Sequence, residues 1–120
     1  MRPLLLAALL LAASPALAQD ADHGRAVFAR ACASCHVVTS PRNLMGPHLL
    51  GVVGRKIASV DGFNYSTAMK ATEGAWTPER LDPYLANPAQ VIPGTKMINR
   101  LPSDTDRADV IAWLATAKAP

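Results

Sequence analysis

Aromatic side chains are scarce in this sequence, with two each of Trp, Tyr and Phe among 120 residues. A chain of this size holds one domain and one core. With so few large rings to fill that core, a staple or a buried cofactor is expected to help it fold. Blocks of like charge, internal repeats and low-complexity tracts are also missing, which leaves a nucleic-acid or polyanion surface nothing to stand on. No segment alternates apolar and polar residues over a sustained stretch, so strands are not expected and an all-α domain is.

Long apolar runs are missing too, apart from the first eighteen residues. There Arg2 precedes a Leu- and Ala-rich stretch, Leu4 to Leu17, which ends in the small-x-small pattern Ala16-Leu17-Ala18. This reads as a secretory signal peptide over residues 1–18, followed by a single exported domain over 19–120. The alternative is an uncleaved anchor, but the stretch falls short of the roughly 20 residues a spanning helix needs, and Pro15 interrupts it. No membrane span is therefore expected after removal of the signal. The only charge that leaves with it is Arg2, so the mature chain is weakly basic.

Along the rest of the chain, Asp22 to Cys35 reads as a helix, with Asp22 as N-cap and Val27, Phe28, Ala31, Cys32 and Cys35 at helical spacing. Val37 to Lys56, with Pro41, Gly46, Pro47, Gly51 and Gly54, is a long loop of the kind that usually carries function. Ser66 to Ala71 forms a short helix. Thr77-Pro78-Glu79 starts another, which stops before Pro88 because Asn87 is pushed out of the helical region by the ring after it. A second loop, Pro88 to Pro102, leads to Ser103 and Asp106, spaced like a capping box. The last helix runs to about Lys118 and buries Val110, Ile111, Trp113 and Leu114.

The chemistry centres on Cys32-Ala33-Ser34-Cys35-His36. C-x-x-C-H is the attachment signature of a c-type haem. Two thiols three apart on a helical turn share a face, where they can form thioethers with the two vinyl groups on one porphyrin edge. His36 can then reach the iron. A thioredoxin-like dithiol fits less well, because such a motif opens a helix after a strand. A Cys32–Cys35 disulfide would close too small a loop to constrain the unfolded chain. Zinc would need four ligands, and His23 and His48 lack the paired spacing of zinc modules. The candidates for the sixth iron position are Met45, Met69 and Met97. Met97 is favoured, since the turn Pro93-Gly94-Thr95-Lys96 can hold its thioether at a fixed point opposite His36, whereas Met69 sits on a helix as core.

These residues resemble class I c-type cytochromes, similar to mitochondrial cytochrome c and bacterial cytochrome c2. The resemblance runs from Gly24 to Lys118 through Cys32 to His36, Gly46-Pro47, Gly54-Arg55-Lys56, Gly62-Phe63-Asn64-Tyr65, Trp76, Tyr84-Leu85, Asn87-Pro88, Ile92 to Met97 and Arg107 to Leu114. It implies the all-α cytochrome c fold, short helices and ordered loops wrapped around one haem c attached through two thioethers at Cys32 and Cys35. It implies His36 and Met97 as the iron ligands, with the Pro47 carbonyl accepting a hydrogen bond from His36. It also implies Arg55, Tyr65, Trp76 and Thr95 around the propionates and Tyr84 near the Met97 sulfur. Gly24, Phe28, Trp113 and Leu114 match a crossing of the first and last helices.

In function, the resemblance implies a monomeric periplasmic electron carrier rather than an enzyme. It would shuttle single electrons from a quinol-oxidising membrane complex or dehydrogenase to a terminal oxidase or other acceptor. Its partners would be larger redox proteins, not nucleic acid. An enzyme or gas sensor with an open iron position, and a subunit of a larger dehydrogenase, are the rival readings. The sequence departs from mitochondrial relatives in its four lysines, Lys56, Lys70, Lys96 and Lys118, in Asn99 where they carry an aromatic residue, and in Met69 where they often carry a polar one. The loops after His36 and Met97 are each about one residue shorter. Docking through a dense cationic ring is therefore not expected.

Overall fold

A computed structural model describes residues 19–118; the expected signal peptide, residues 1–18, lies outside them. The described residues form five helices: α1 (Ala21–Ala31), α2 (Thr67–Lys70), α3 (Pro78–Ala86), α4 (Pro88–Val91) and α5 (Asp104–Leu114). Among these residues, pairing of extended chain is confined to one antiparallel bridge, Lys56 with Ala75. No described helix is long and apolar enough to cross a membrane.

The two longest helices, α1 and α5, cross where a side chain is missing. A Cβ on Gly24 would stand 1.9 Å from the Asp109 carbonyl oxygen and 2.9 Å from the Trp113 Cβ, so only glycine permits this approach. Phe28 then meets Trp113 with ring centroids 4.9 Å apart. The seam is also tied by charge. Buried Asp109 accepts from the Asp20 backbone N–H at 2.8 Å and lies 2.7 Å from His23 Nδ1, while Arg30 reaches Asp106 at 3.0 Å. Asp109 is held below the ordinary carboxylate range by the Asp20 N–H first and His23 second. His23 is raised, chiefly by its bond to Asp109. The core beneath gathers Val27, Val52, Ile57, Met69, Leu81, Ile92, Val110 and Leu114 from all parts of the chain.

Helix starts follow side-chain chemistry. Thr77 caps α3 with Pro78 in its first turn, Ser66 caps α2, and Ser103 caps α5 by accepting from the Asp106 N–H. A hydroxyl at these positions satisfies an otherwise orphaned donor. Four boundaries differ from the sequence reading. The N-cap of α1 is Asp20, not Asp22, because Asp20 accepts from the His23 N–H. The helix ends at Ala31, so the cysteines sit in a separate turn rather than on its face. The expected loop after Asn87 begins with α4: the Asn87 side chain accepts from the Gln90 N–H and Pro88 supplies the first turn. The residue that ends one helix therefore caps the next. Finally, α5 stops at Leu114, and the chain beyond it turns so that the Ala117 carbonyl accepts from the Gly51 N–H at 2.6 Å.

Candidate haem site

The motif is shaped by backbone bonds before any side chain acts. The Phe28 carbonyl accepts from both Cys32 and Ala33 and closes α1; the Cys32 carbonyl then accepts from Cys35 at 3.1 Å and His36 at 3.0 Å. This turn places both sulfurs and the imidazole within five residues. Burial pushes the Cys32 thiol up to about 11, Arg30 opposing and Cys35 adding to the shift. A redox dithiol works through a thiolate of lowered pKa, so Cys32 is the opposite of what a thioredoxin-like motif needs. No three His, Cys, Asp or Glu side chains converge as a metal-binding group among the described residues, which leaves zinc without a donor set.

His36 is fixed by the first long loop. Its Nδ1–H donates to the Pro47 carbonyl at 2.7 Å, the contact expected from the resemblance. That bond assigns the tautomer and leaves Nε2 with a free lone pair. Burial lowers the pKa of His36, the Pro47 bond opposes this and Arg55 adds to it, so the ring is held neutral, the state a metal needs. Gly46 makes the approach possible: a Cβ there would stand 2.3 Å from His36 Cε1 and 2.7 Å from Nδ1. The Gly46 N–H is in turn bound to the Cys35 carbonyl at 2.9 Å, which links loop and motif.

Arg55 lies on the same loop. Its Nη1 donates to the carbonyls of His48 at 3.0 Å and Leu50 at 3.1 Å, while Arg55 Nε and His48 Nδ1 are buried with no partner. Buried donors without partners are uncommon in finished folds. An anionic carboxylate of a bound group is the complement a guanidinium Nε–H calls for. Arg55 is depressed by burial but an arginine keeps its charge. Trp76 is fastened to it through the backbone, Trp76 N–H to the Arg55 carbonyl at 2.8 Å. The hydroxyl of Tyr65 accepts from the Val60 N–H at 3.1 Å.

The remaining predicted residues belong to the second loop. Tyr84 packs on Trp76 with centroids 4.8 Å apart, and its hydroxyl lies 2.7 Å from Thr95 Oγ1. Burial raises the phenol and the Thr95 contact lowers it, so it stays protonated. Gly94, at φ 94°, lets the Thr95 N–H turn back to the Ile92 carbonyl at 3.0 Å. Lys96 donates to the Asn64 carbonyl at 2.6 Å. Between these ties Met97 is half-buried against the core, whereas Met69 is buried in it and Met45 is 83% exposed.

Two anchors escaped the sequence reading. Arg107, buried on α5, donates to the carbonyls of Leu101 and Pro102 at 2.9 Å each, to Asp82 on α3 at 2.8 Å and to Asp104. It thus moors the far end of the Met97 loop. Asn43 accepts from the His48 N–H at 2.9 Å and donates to the Asp61 carbonyl at 3.4 Å, bridging two loops. Asp104, three residues before Arg107 on the same helix, was the one sequence signal of a paired arginine; its bonds to Asp82 and to the loop carbonyls had none.

The residues fit haem c: two unpaired thiols in C-x-x-C-H order, a neutral imidazole with a free nitrogen, a thioether on a braced loop, and an orphaned guanidinium nitrogen. Comparison with known proteins agrees. The family model described as cytochrome c matches residues 21–118. The chain is similar to "Cytochrome c-type cyt cy" of Rhodobacter capsulatus, 53% identical over 98 residues that make up 81% of this chain and 49% of that one. It thus spans about half the length of that relative. It is 47% identical to a cytochrome c2 of Rhodomicrobium vannielii over 112 residues, covering 92% and 89% of the two chains. Among solved structures it is similar to cytochrome cH from Methylobacterium extorquens, with a TM-score of 0.75, 37% identity and coverage of 81% of this chain and 98% of that one.

Proposed function

From the cytochrome c family, to which this chain belongs, we propose that the protein is a periplasmic shuttle carrying single electrons from a quinol-oxidising complex or dehydrogenase to a terminal oxidase or other acceptor. Members of the family are electron carriers that bind one covalent haem c, and Cys32, Cys35 and His36 stand in the arrangement such attachment uses. Bound there, the haem supplies a one-electron ferric–ferrous couple. His36 would offer Nε2 as one iron ligand and Met97 its sulfur as the other. Arg55 would hold a propionate through its free Nε–H, Tyr65, Trp76 and Thr95 would complete the surroundings of the propionates, and Tyr84 steadies Thr95 two residues before Met97. Export through residues 1–18 places the carrier in the periplasm.

The carrying observation is the His36 ring locked through Nδ1 by the Pro47 carbonyl, with Nε2 free, together with a Met97 loop tied at both ends. Such bracing suits electron transfer, which gains from a site that does not rearrange between oxidation states. Partner contact involves the same loops. All four exposed large hydrophobic residues of the described chain, Leu44, Met45, Val91 and Ile98, lie in the segments 37–56 and 88–102 that bear Pro47 and Met97. Those segments contain no Asp or Glu, and contribute Arg42, Arg55, Lys56, Lys96 and Arg100. A larger redox protein docking on these loops would thus meet exposed apolar side chains and few charges, all of them cationic. The test is stopped-flow mixing of the ferrous protein with membranes of its source cells. Oxidation within seconds that depends on protein concentration is expected; peroxide turnover or diatomic-gas binding in place of oxidation would overturn the reading.

A further inference from the structure

Of the three methionines among the described residues, Met69 is 8% exposed, Met97 is half-buried and Met45 is 83% exposed. Met45 does not sit on a free loop. Its backbone is held by Leu44 N–H to the Gly46 carbonyl at 3.0 Å and by Gly46 N–H to the Cys35 carbonyl at 2.9 Å. Its sulfur lies 4.0 Å from that of Cys35. A thioether is therefore presented to solvent beside the attachment turn, next to exposed Leu44 on a loop segment without Asp or Glu.

We propose that Met45 is an oxidative modification site, taking an oxygen atom from a peroxide and thereby weakening partner docking. The docking half rests on the shuttle reading above; the modification itself does not. In the reaction the peroxide O–O bond breaks and an S–O bond forms at Met45. Sulfur gives up two electrons, and the departing oxygen takes up two electrons and a proton to leave as water or an alcohol. Oxidation converts a flexible apolar tip into a polar, chiral one and is reversible by methionine sulfoxide reductases. Covered by a docked partner, the new S=O dipole would lose water without gaining a partner. Met69 is protected by burial, and Met97 by its packing and by the role proposed for its sulfur.

The test treats the holoprotein with a small excess of tert-butyl hydroperoxide, maps oxygen addition by peptide mass spectrometry, and then follows oxidation of the ferrous protein by source-cell membranes. The Met45 peptide should gain oxygen at least tenfold faster than those bearing Met69 or Met97. Turnover by membranes should fall at least twofold, recover on incubation with methionine sulfoxide reductase, and stay at its own untreated level when Met45→Leu protein receives the same treatment. Equal oxidation of Met97 or Met69, or an unchanged turnover of protein fully oxidised at Met45, would overturn the proposal. If untreated protein is not oxidised by membranes at all, the shuttle reading and the docking half fall together, while the peptide map still decides the modification.

Discussion

Replacing Gly24 with alanine tests the seam on which the two terminal helices meet. The added methyl would stand 1.9 Å from the Asp109 carbonyl oxygen, a backbone atom that cannot rotate away, and 2.9 Å from the Trp113 Cβ. To reach ordinary contact, α1 and α5 must part by roughly 1.5 Å, a distance at which the packed surfaces lose much of their dispersion attraction. Overpacking of this kind costs about 1–3 kcal/mol. Parting the helices also stretches the Asp20–Asp109 bond of 2.8 Å, and losing one such bond removes about 1 kcal/mol more. Alanine returns about 1 kcal/mol through its helix propensity. The net loss is about 2 kcal/mol, which for a domain of about 100 residues lowers Tm by roughly 8–16 °C. Thermal unfolding of the holoprotein followed by circular dichroism reads this directly. Ala26→Gly, on the exposed face of the same helix, calibrates the propensity alone. A Gly24→Ala protein that melts with the wild type would show that the helices do not cross at this residue.

The His23–Asp109 pair gives stability a pH window. Asp109 is depressed from 3.8, so its stabilisation is present above that value and is lost as pH falls through the lower folded pKa; His23 is raised from 6.5, so its share is present below 6.5 and is lost as pH rises through the higher folded pKa. The deficit of a His23→Ala variant, measured by denaturant unfolding, should be largest between these two values and shrink towards high pH, with Asp20 and Asp106 also facing the ring; a deficit that grows with pH would reverse the assignment. Gly46→Ala should push the His36 ring off its position and break the Pro47 bond, lowering holoprotein yield several-fold and moving the midpoint potential; an unaltered yield and potential would mean the imidazole is not held there. Because the loops bearing Pro47 and Met97 carry few charges, the rate with membranes should fall only a few-fold between low and physiological salt, and a loss of about a hundred-fold would point to a denser charged contact.

Local chemistry made much of the fold legible. Hydroxyl caps at Thr77 and Ser103 and the Pro88 stop are decided by neighbours in sequence, and each is found where the pattern put it, while the Gly24 crossing, whose partners Asp109 and Trp113 are far along the chain, was implied only by the resemblance. What the pattern missed depends on partners far along the chain. Asp20 caps α1 partly because its own N–H is held by Asp109, 89 residues away, and Arg107 is buried because carbonyls of the Met97 loop and Asp82 converge on it. Spacing alone makes the motif turn look helical, because it does not register that the Phe28 carbonyl takes two donors and ends α1 early. At the site, C-x-x-C-H and the resemblance pointed to the residues, while the His36–Pro47 bond, the Gly46 clearance and the orphaned Arg55 Nε are three-dimensional facts. The scarcity of lysine was visible from the start, and the apolar, acid-free loops extend it to a description of the surface a partner would meet.

The near-infrared spectrum of the ferric protein tests most directly whether His36 and Met97 grip one iron from opposite sides. A sulfur-to-iron charge-transfer band should be present in the wild type and in Met45→Leu, and absent from Met97→Ala while Cys32 and Cys35 keep the haem attached. A wild-type spectrum without that band, or one that survives loss of Met97, would contradict this ligation.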